Sequence, residues 1–261
     1  SGVLSTGFHR EDPTTLFIDI GTNGEIVLGS REWLMTAACS AGPAFEGGGI
    51  RWGMRAEEGA IEKVSIDGKT LEPTVATVGN AGARGICGSG MIDLIAELMR
   101  TGIVDRSGRF AKEIDNRRIR RLGDEMAYVL AVAEETAVEE EIVFTASDLK
   151  NLIYSKGAVY AGFTTLLGEA GLDFSMVDRI IITGGFGQYL NIDKAVAIGL
   201  LPDVDRAKFS YRGNSSVAGA YMALLSSAYR QEAREICNTM TYVDFSSNPR
   251  YMDEFTSALF L

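Results

Sequence analysis

A short apolar segment with one acidic residue leads directly into a turn that contains two glycines. Residues 16–20 are apolar except for Asp19, which predicts a buried strand. Residues 21–24 read Gly-Thr-Asn-Gly, and we expect them to turn sharply because glycine accepts backbone angles that other residues resist. Residues 26–28 are apolar again. The segment therefore predicts a strand, a tight turn and a second strand.

Asp19 is the residue of this segment that requires a chemical explanation. A carboxylate at the end of a buried strand costs free energy unless a partner compensates its charge. Turn amides and hydroxyls can surround phosphate oxygens while such a carboxylate holds a metal ion or its water. For an isolated hairpin, the simpler interpretation is that Asp19 caps its own turn.

The composition of the chain excludes some classes of partner. Hydrophobic residues make up 46% of the 261 residues and charged residues 23%, which is typical of a globular protein with a sizeable core. The net charge of -10 argues against nucleic-acid binding, which needs a basic surface. The sequence contains no apolar run long enough to span a bilayer, so we expect no membrane partner.

The cysteine pattern argues against a metal cluster or a disulfide framework. Cys39, Cys87 and Cys237 are odd in number and form no C-x-x-C pair, so we expect this chain to hold no iron–sulfur cluster. Reducing cytoplasm is the compartment that fits this usage. The only histidine, His9, lies in a polar stretch that we predict to be a solvated leader, residues 1–15.

The order of predicted elements indicates the fold class. After the hairpin we predict strands at 33–38, 61–66, 74–78, 126–132, 142–145, 179–183, 208–211 and 242–245, and helices at 89–100, 145–169, 192–198, 215–240 and after Pro249. Three antiparallel strands followed by alternating helices and strands predict a mixed α/β sheet with flanking helices, of ribonuclease-H-like topology. The core would comprise residues 16–45 and 146–261, with an inserted α+β subdomain at 46–145.

A second motif follows the strand at 179–183. The strand ends in Thr183-Gly184-Gly185-Phe186-Gly187, and consecutive glycines allow a backbone to approach a flat ligand closely. Open α/β sheets bind ligands at the carboxyl ends of their strands. Taken alone, the motif is equally compatible with a plain strand-to-helix turn.

Together, these motifs resemble the superfamily of acetate and sugar kinases, heat-shock ATPases and actin (ASKHA). Residues 19–24 resemble its phosphate hairpin and residues 183–187 its adenosine motif, while residues 40–48 resemble a loop near nucleotide in heat-shock ATPases. A simple glycine-rich connection explains that loop nearly as well. The resemblance implies that Asp19 is catalytic and holds Mg²⁺, directly or through water. It implies that the ATP contacts are Gly21, Thr22, Asn23, Gly24, Gly47, Gly48, Gly184, Gly185, Phe186 and Gly187.

A closer resemblance covers nearly the whole chain. The runs Asp-Ile-Gly-Thr-Asn-Gly-Glu from Asp19, Ala-Gly-Pro-Ala-Phe-Glu-Gly-Gly-Gly from Ala41, Arg-Gly-Ile-Cys-Gly-Ser-Gly from Arg84 and Thr-Gly-Gly-Phe-Gly from Thr183 resemble the C-terminal domain of reductive activators of corrinoid proteins. That family uses ATP to drive electron transfer to the corrinoid protein of a methyltransferase system, from Co(II) to Co(I). An N-terminal ferredoxin-like domain with an iron–sulfur cluster supplies the electron.

The chain departs from the full architecture of that family, which leaves alternatives open. It lacks the cluster-binding cysteines and the first ASKHA subdomain with its own hairpin, so we expect an excised domain that holds half an ATP site and is inactive alone. The alternatives are another ASKHA enzyme (an activator of acyl-CoA dehydratases or a small-molecule kinase) or a non-catalytic docking and dimerisation domain. Small residues on the long helix, at 157, 158, 161 and 162, suit packing against the sheet or against a second copy in a homodimer.

Overall fold

The computed structural model describes residues 1–111, 114–184 and 190–261. Its strands are β1 (Thr15–Ile20), β2 (Gly24–Gly29), β3 (Leu34–Cys39), β4 (Ala60–Ile66), β5 (Pro73–Thr77), β6 (Gly85–Ile86), β7 (Ile119–Leu122), β8 (Glu125–Ala131), β9 (Ile142–Thr145), β10 (Arg179–Thr183), β11 (Phe209–Tyr211) and β12 (Met240–Tyr242). Its α-helices are α1 (Gly2–Thr6), α2 (Gly88–Arg100), α3 (Ala146–Glu169), α4 (Ile192–Ala197), α5 (Ser215–Leu225), α6 (Ser227–Thr239) and α7 (Pro249–Ser257). Across these described residues, no helix combines the length and apolar character that a bilayer crossing requires.

The described residues form two compact units. The first comprises Ser1–Ser40, Ala158–Gln188 and Pro202–Thr256, and the second comprises Ala41–Gly157, Tyr189–Leu201 and Ser257–Leu261. The insertion predicted at residues 46–145 falls inside the second unit, which extends beyond it on both sides.

The first unit contains the main sheet. Within the described residues its strand order is β11-β10-β1-β2-β3-β12. β1, β2 and β3 are antiparallel neighbours, β10 pairs in parallel with β1, and β11 pairs in parallel with β10. Every residue of the central strand β1 is buried or half-buried, as expected for a strand with neighbours on both sides. The predicted ribonuclease-H-like α/β fold is confirmed.

Helix α3 begins with the polar cap that its sequence predicts. The N–H of Thr145 donates to Asp148 Oδ2 at 2.9 Å, and the N–H of Asp148 donates to Thr145 Oγ1 at 3.1 Å. Farther along the helix, a Cβ added at Gly162 would lie 2.6 Å from Ile26 Cδ1 of β2. The sequence left open whether the small residues of this helix pack against the sheet or against a second copy of the chain. At Gly162 the contact is with the sheet.

The first ten residues differ from the solvated leader that we predicted. Leu4 and Phe8 are buried in a hydrophobic cluster with Phe17 of β1, and the rings of Phe8 and Phe17 stack with centroids 5.9 Å apart. His9 is also not solvated, since only 10% of its side chain is exposed and its Nε2 lies 2.8 Å from Glu232 Oε1. The sequence pattern concealed this packing because α1 spans only five residues, too few to show a helical period.

The single helix predicted over residues 215–240 is divided into α5 and α6 at Ser226. This residue has an extended backbone, with φ −138° and ψ 128°. Its N–H donates to the carbonyl of Met222, while its own carbonyl accepts from the N–H of Arg230. Serine favours helix ends because its side chain competes with helical hydrogen bonding. The last strand also lies earlier than predicted, as β12, where it pairs in parallel with β3.

The second unit contains two small sheets among its described residues, β5-β4-β6 and β7-β8-β9. β4, β5, β8 and β9 lie within one residue of their predicted bounds. β6 was not predicted because it has only two residues, and β7 was not predicted because its middle residues are both arginine. Helix α2 begins one residue earlier than predicted, with Cys87 as its N-cap. Cys87 is buried and its Sγ lies 3.3 Å from the carbonyl oxygen of Ile61, so it is a small packed side chain.

Side chains of α2 cover part of one backbone edge of β4. The two-residue strand β6 pairs with only the first two residues of β4. Farther along, the N–H of Val64 donates to Asp93 Oδ2 at 3.2 Å, and the N–H of Ile66 donates to Glu97 Oε2 at 3.0 Å. Lys194 Nζ of α4 lies 3.0 Å from Asp93 and 3.3 Å from Glu97. Two carboxylates therefore take the place of a neighbouring strand, and Lys194 offsets their charge.

Candidate functional site

The hairpin that contains Asp19 lies beside Gly184 at one end of the main sheet. β1 and β10 run in parallel, and Asp19 is in register with Thr183. Gly184, which follows, has φ 117°, and a Cβ there would lie 2.3 Å from the carbonyl oxygen of Ile20. Only glycine permits this close approach. The expectation that both turns share one end of the sheet is confirmed.

Asp19 is half-buried and receives a hydrogen bond from α5. Ser216 Oγ donates to Asp19 Oδ2 at 2.6 Å, a short charge-assisted bond. Glu25 of β2 stands directly opposite Asp19, so the two carboxylates share a face of the sheet. Partial desolvation raises the pKa of Glu25, and the negative charge of Asp19 raises it further. The hairpin therefore concentrates negative charge that a cation would neutralise.

The hairpin turn is tight, and Gly24 is needed there for a different reason than predicted. The N–H of Gly21 donates to the carbonyl of Asn23 at 2.9 Å, and the side chains of Thr22 and Asn23 are exposed. Neither Gly21 nor Gly24 has a positive φ. A Cβ at Gly24 would instead lie 2.6 Å from Cys39 Sγ, so close packing excludes a side chain there.

The thiol of Cys39 is part of the packing beneath the turn. It is buried and lies 3.4 Å from the carbonyl oxygen of Gly24. Burial raises the pKa of Cys39 to about 12, so it is a neutral thiol at physiological pH. It therefore lacks the thiolate character that redox or nucleophilic chemistry requires.

A third segment, which the sequence did not indicate, joins the two turns. Tyr211 Oη donates to the carbonyl of Gly184 at 2.8 Å, and the N–H of Gly184 donates to the carbonyl of Gly213 at 3.2 Å. A few residues on, Ser216 contacts Asp19. The stretch from the end of β11 to the start of α5 thus contacts both the hairpin and the glycine turn. The only local signal was a run of helix-capping residues, Asn-Ser-Ser, at positions 214–216.

The other predicted contact residues are placed as follows. Gly47 and Gly48 belong to the second unit, in the turn after the 3-10 helix Pro43–Glu46. Gly47 has φ 91°, and a Cβ there would lie 2.6 Å from the carbonyl carbon of Gly53, while one at Gly48 would lie 2.7 Å from Pro43 Cβ. Packing thus explains both glycines, and their contact with nucleotide stays a prediction. Gly185, Phe186 and Gly187 lie outside the described residues.

Comparisons with known proteins place nearly the whole chain in one family. Residues 13–261 match the family model described as the C-terminal domain of RACo, the ASKHA domain. The corrinoid activation enzyme RamQ of Eubacterium limosum is 32% identical over 260 residues, which cover 95% of this chain and 43% of that protein. A Co(II) methylated amine-specific corrinoid protein reductase of Methanosarcina barkeri is 26% identical over 259 residues, which cover 92% of this chain and 44% of that protein.

A solved structure agrees with these sequence matches. The reductive activator for corrinoid, iron–sulfur protein superposes with a TM-score of 0.96 and 53% sequence identity, over 100% of this chain and 41% of that one. The chain therefore spans less than half the length of the relatives it matches. On the strength of these matches and of the fold, the chain belongs to the family of RACo C-terminal ASKHA domains.

Proposed function

We propose that this chain is the ATP-binding domain of an ATP-dependent reductive activator that returns a corrinoid cofactor from Co(II) to Co(I). The observation that carries the proposal is the placement of the Asp19 hairpin beside the Gly184 turn at one end of a ribonuclease-H-like sheet. Membership of the RACo family supports it. The names of the relatives favour corrinoid activation over a dehydratase activator, a small-molecule kinase or a purely structural domain.

In this proposal the hairpin binds the phosphates of ATP. Asp19 is the catalytic residue, and its carboxylate positions the cation beside the phosphates. The exposed side chains of Thr22 and Asn23 and the backbone of Gly21 and Gly24 contact phosphate oxygens. Gly184, together with residues 185–187, borders the adenosine. Contact of Gly47 and Gly48 with the nucleotide stays a prediction from the sequence.

The donor groups at the hairpin suit Mg²⁺ that arrives with a nucleotide. Among the described residues, no group of three or more His, Cys, Asp or Glu side chains could hold a metal ion. Mg²⁺ does not require such a cage, since it commonly keeps several waters and binds one or two carboxylates together with substrate phosphates. Asp19, with Glu25 opposite it, supplies the local negative charge for that mode of binding.

The remaining parts of the reaction lie outside this chain. In the full-length protein, an iron–sulfur cluster in another domain would supply the electron that reduces Co(II), and the partner would be the corrinoid protein of a methyltransferase system. The thiols of Cys39, Cys87 and Cys237 are all free, which agrees with a reducing, cytoplasmic setting. Because one hairpin provides half a nucleotide cleft, we expect the chain alone to bind ATP weakly or undetectably.

The experiment that tests this function replaces Asp19 with alanine in the full-length activator. We expect Asp19→Ala to weaken ATP binding in the presence of Mg²⁺ by roughly 2–5 kcal/mol, as for loss of a buried charge-assisted contact, and to abolish reduction of the Co(II) corrinoid protein. Asp124→Ala, at an exposed turn between β7 and β8, is the matched control. It should change neither ATP binding nor reduction of the corrinoid protein. A folded Asp19→Ala protein that binds ATP and Mg²⁺ as tightly as the wild type would show that the role given to Asp19 is wrong.

Calorimetry on the chain alone tests the expectation that it holds only half of an ATP site. Titration with ATP and Mg²⁺ should give little or no heat of binding. Tight binding would show that the second hairpin is dispensable or that a second copy of the chain supplies it.

A further inference from the structure

We propose that Ser216 is a positioning residue that fixes the Asp19 carboxylate in the orientation needed to receive Mg²⁺ with ATP. The inference rests on the proposed function of Asp19, and it assigns a role to a residue that no motif of the sequence marks. Its basis is the hydrogen bond from Ser216 Oγ to Asp19 Oδ2, at 2.6 Å.

The hydrogen bond makes the two oxygens of the carboxylate unequal. Oδ2 accepts the hydroxyl proton of Ser216, so in this proposal Oδ1 is the oxygen that binds a cation or its water. The bond also restricts rotation of the Asp19 side chain, so less conformational freedom is lost when the cation binds. Ser216 itself need not touch the nucleotide to have this effect.

The hydroxyl is presented from a firmly held helix start. The side chain of Asn214 caps α5 by accepting the N–H of Val217 at 3.0 Å. Ser5 Oγ donates to the carbonyl of Ser215 at 2.8 Å, which ties the same turn to α1. One turn later, a Cβ at Gly219 would lie 2.1 Å from the carbonyl oxygen of Ser1. Supporting contacts of this kind are what hold a functional group within the small tolerance that a binding site requires.

The negative charge around Asp19 explains why a neutral donor is suited to hold this carboxylate. Glu25 lies opposite on β2, and two neighbouring carboxylates repel each other. A hydroxyl donor holds the Asp19 carboxylate in place without contributing a positive charge that would compete with Mg²⁺. The arrangement therefore orients the carboxylate while the site remains attractive to a cation.

Three variants of the full-length activator test the role. Calorimetry would measure ATP affinity with Mg²⁺ and with a chelator in place of Mg²⁺. We expect Ser216→Ala to weaken Mg²⁺-dependent binding about three- to tenfold, in the range of one typical hydrogen bond, with no change when Mg²⁺ is absent. Ser216→Thr keeps the hydroxyl and should restore affinity. Ser227→Ala, at the exposed first residue of α6, is the matched control and should behave as the wild type.

A nucleotide-independent measurement separates this inference from the proposed function. In the present chain, the ¹³C resonance of the Asp19 carboxylate should shift in Ser216→Ala and return in Ser216→Thr. If Asp19→Ala abolishes binding while Ser216→Ala leaves both the affinity and the resonance unchanged, the positioning role is wrong and the ATP site stands. If Asp19→Ala has no effect on binding, the proposed function of Asp19 fails, and the positioning role fails with it even where the resonance shifts.

Discussion

Lys156 is a buried cation whose environment makes stability depend on pH. Its side chain is almost fully buried in the second unit, and its ammonium donates to the backbone carbonyl of Phe260. Burial lowers the pKa of Lys156 from 10.5 to about 8. The unfolded chain returns the lysine to its ordinary pKa, so between these two values the unfolded state binds more protons than the folded state. The free energy of unfolding contributed by this group therefore rises with pH across that window.

Replacing Lys156 with methionine should reveal this contribution. As the pH rises from 7 to about 10.5, we expect the wild type to gain stability relative to Lys156→Met, by up to about 3 kcal/mol. Urea denaturation of both proteins across that pH range measures the difference. Lys69→Met, at an exposed turn, provides the control and should show no such trend. Parallel pH profiles for the wild type and Lys156→Met would mean that Lys156 is not desolvated as described.

Site residues could be predicted from the sequence only where the residues that identify them are contiguous in the chain. Asp19 and its turn form a contiguous run, so strand pattern and turn composition were enough to single them out. Ser216 is 197 positions away from Asp19 along the chain, and an exposed serine at a helix start has no distinguishing sequence feature. Likewise, Gly24 looked like a turn glycine because its contact with Cys39 depends on the pairing of β2 with β3.

At the scale of elements, the start of α3 makes a testable contribution to stability. Asp148 caps the helix through Thr145, and its Oδ1 also accepts the N–H of Arg51 at 2.8 Å. We expect Asp148→Ala to lower the free energy of unfolding by about 2 kcal/mol, the upper end for a helix cap, because two backbone donors lose their acceptor. Chemical denaturation compares this variant with Asp124→Ala, whose effect should be near zero. Equal stability of the two variants would contradict the capping role.

Elements with a strong internal pattern were predicted well, and those defined by distant pairing were not. The bounds of β4, β9, β10 and α3 follow from local periodicity, apolar runs and capping residues. β6 has only two residues, β7 has two arginines at its centre, and β12 is placed by its parallel partner β3. The break between α5 and α6 falls at a single serine within a stretch that otherwise favours helix.

At the scale of the whole molecule, the packing of the first ten residues predicts that this segment contributes to the stability of the fold. Phe8 is buried against Phe17 of the central strand. We expect Phe8→Ala to cost about 3–5 kcal/mol of stability, as for other buried aromatic residues. Tyr221→Ala, on the exposed side of α5, should change stability by no more than about 0.5 kcal/mol. Thermal denaturation tests the pair, and a negligible effect of Phe8→Ala would restore the interpretation of this segment as a detached leader.

The topology of the main sheet was predictable because it follows the order of elements along the chain. Three consecutive strands joined by tight turns form antiparallel neighbours, and strands separated by helices pair in parallel. The contribution of α1 to the core was not predictable, since Leu4 and Phe8 form part of a hydrophobic surface only after the sheet has assembled. The resemblance to a known family is the basis of the proposed function, which topology alone does not determine.

The covered edge of β4 has a consequence for behaviour in concentrated solution. An exposed strand edge is a template onto which a strand of another molecule can add, and repeated addition leads to aggregation. Along β4 the backbone donors of Val64 and Ile66 are already occupied by Asp93 and Glu97. An incoming strand would have to displace both carboxylates and separate them from Lys194, leaving charges without partners at a buried interface. Asp93 and Glu97 therefore protect this edge of β4 against the addition of a strand from another molecule.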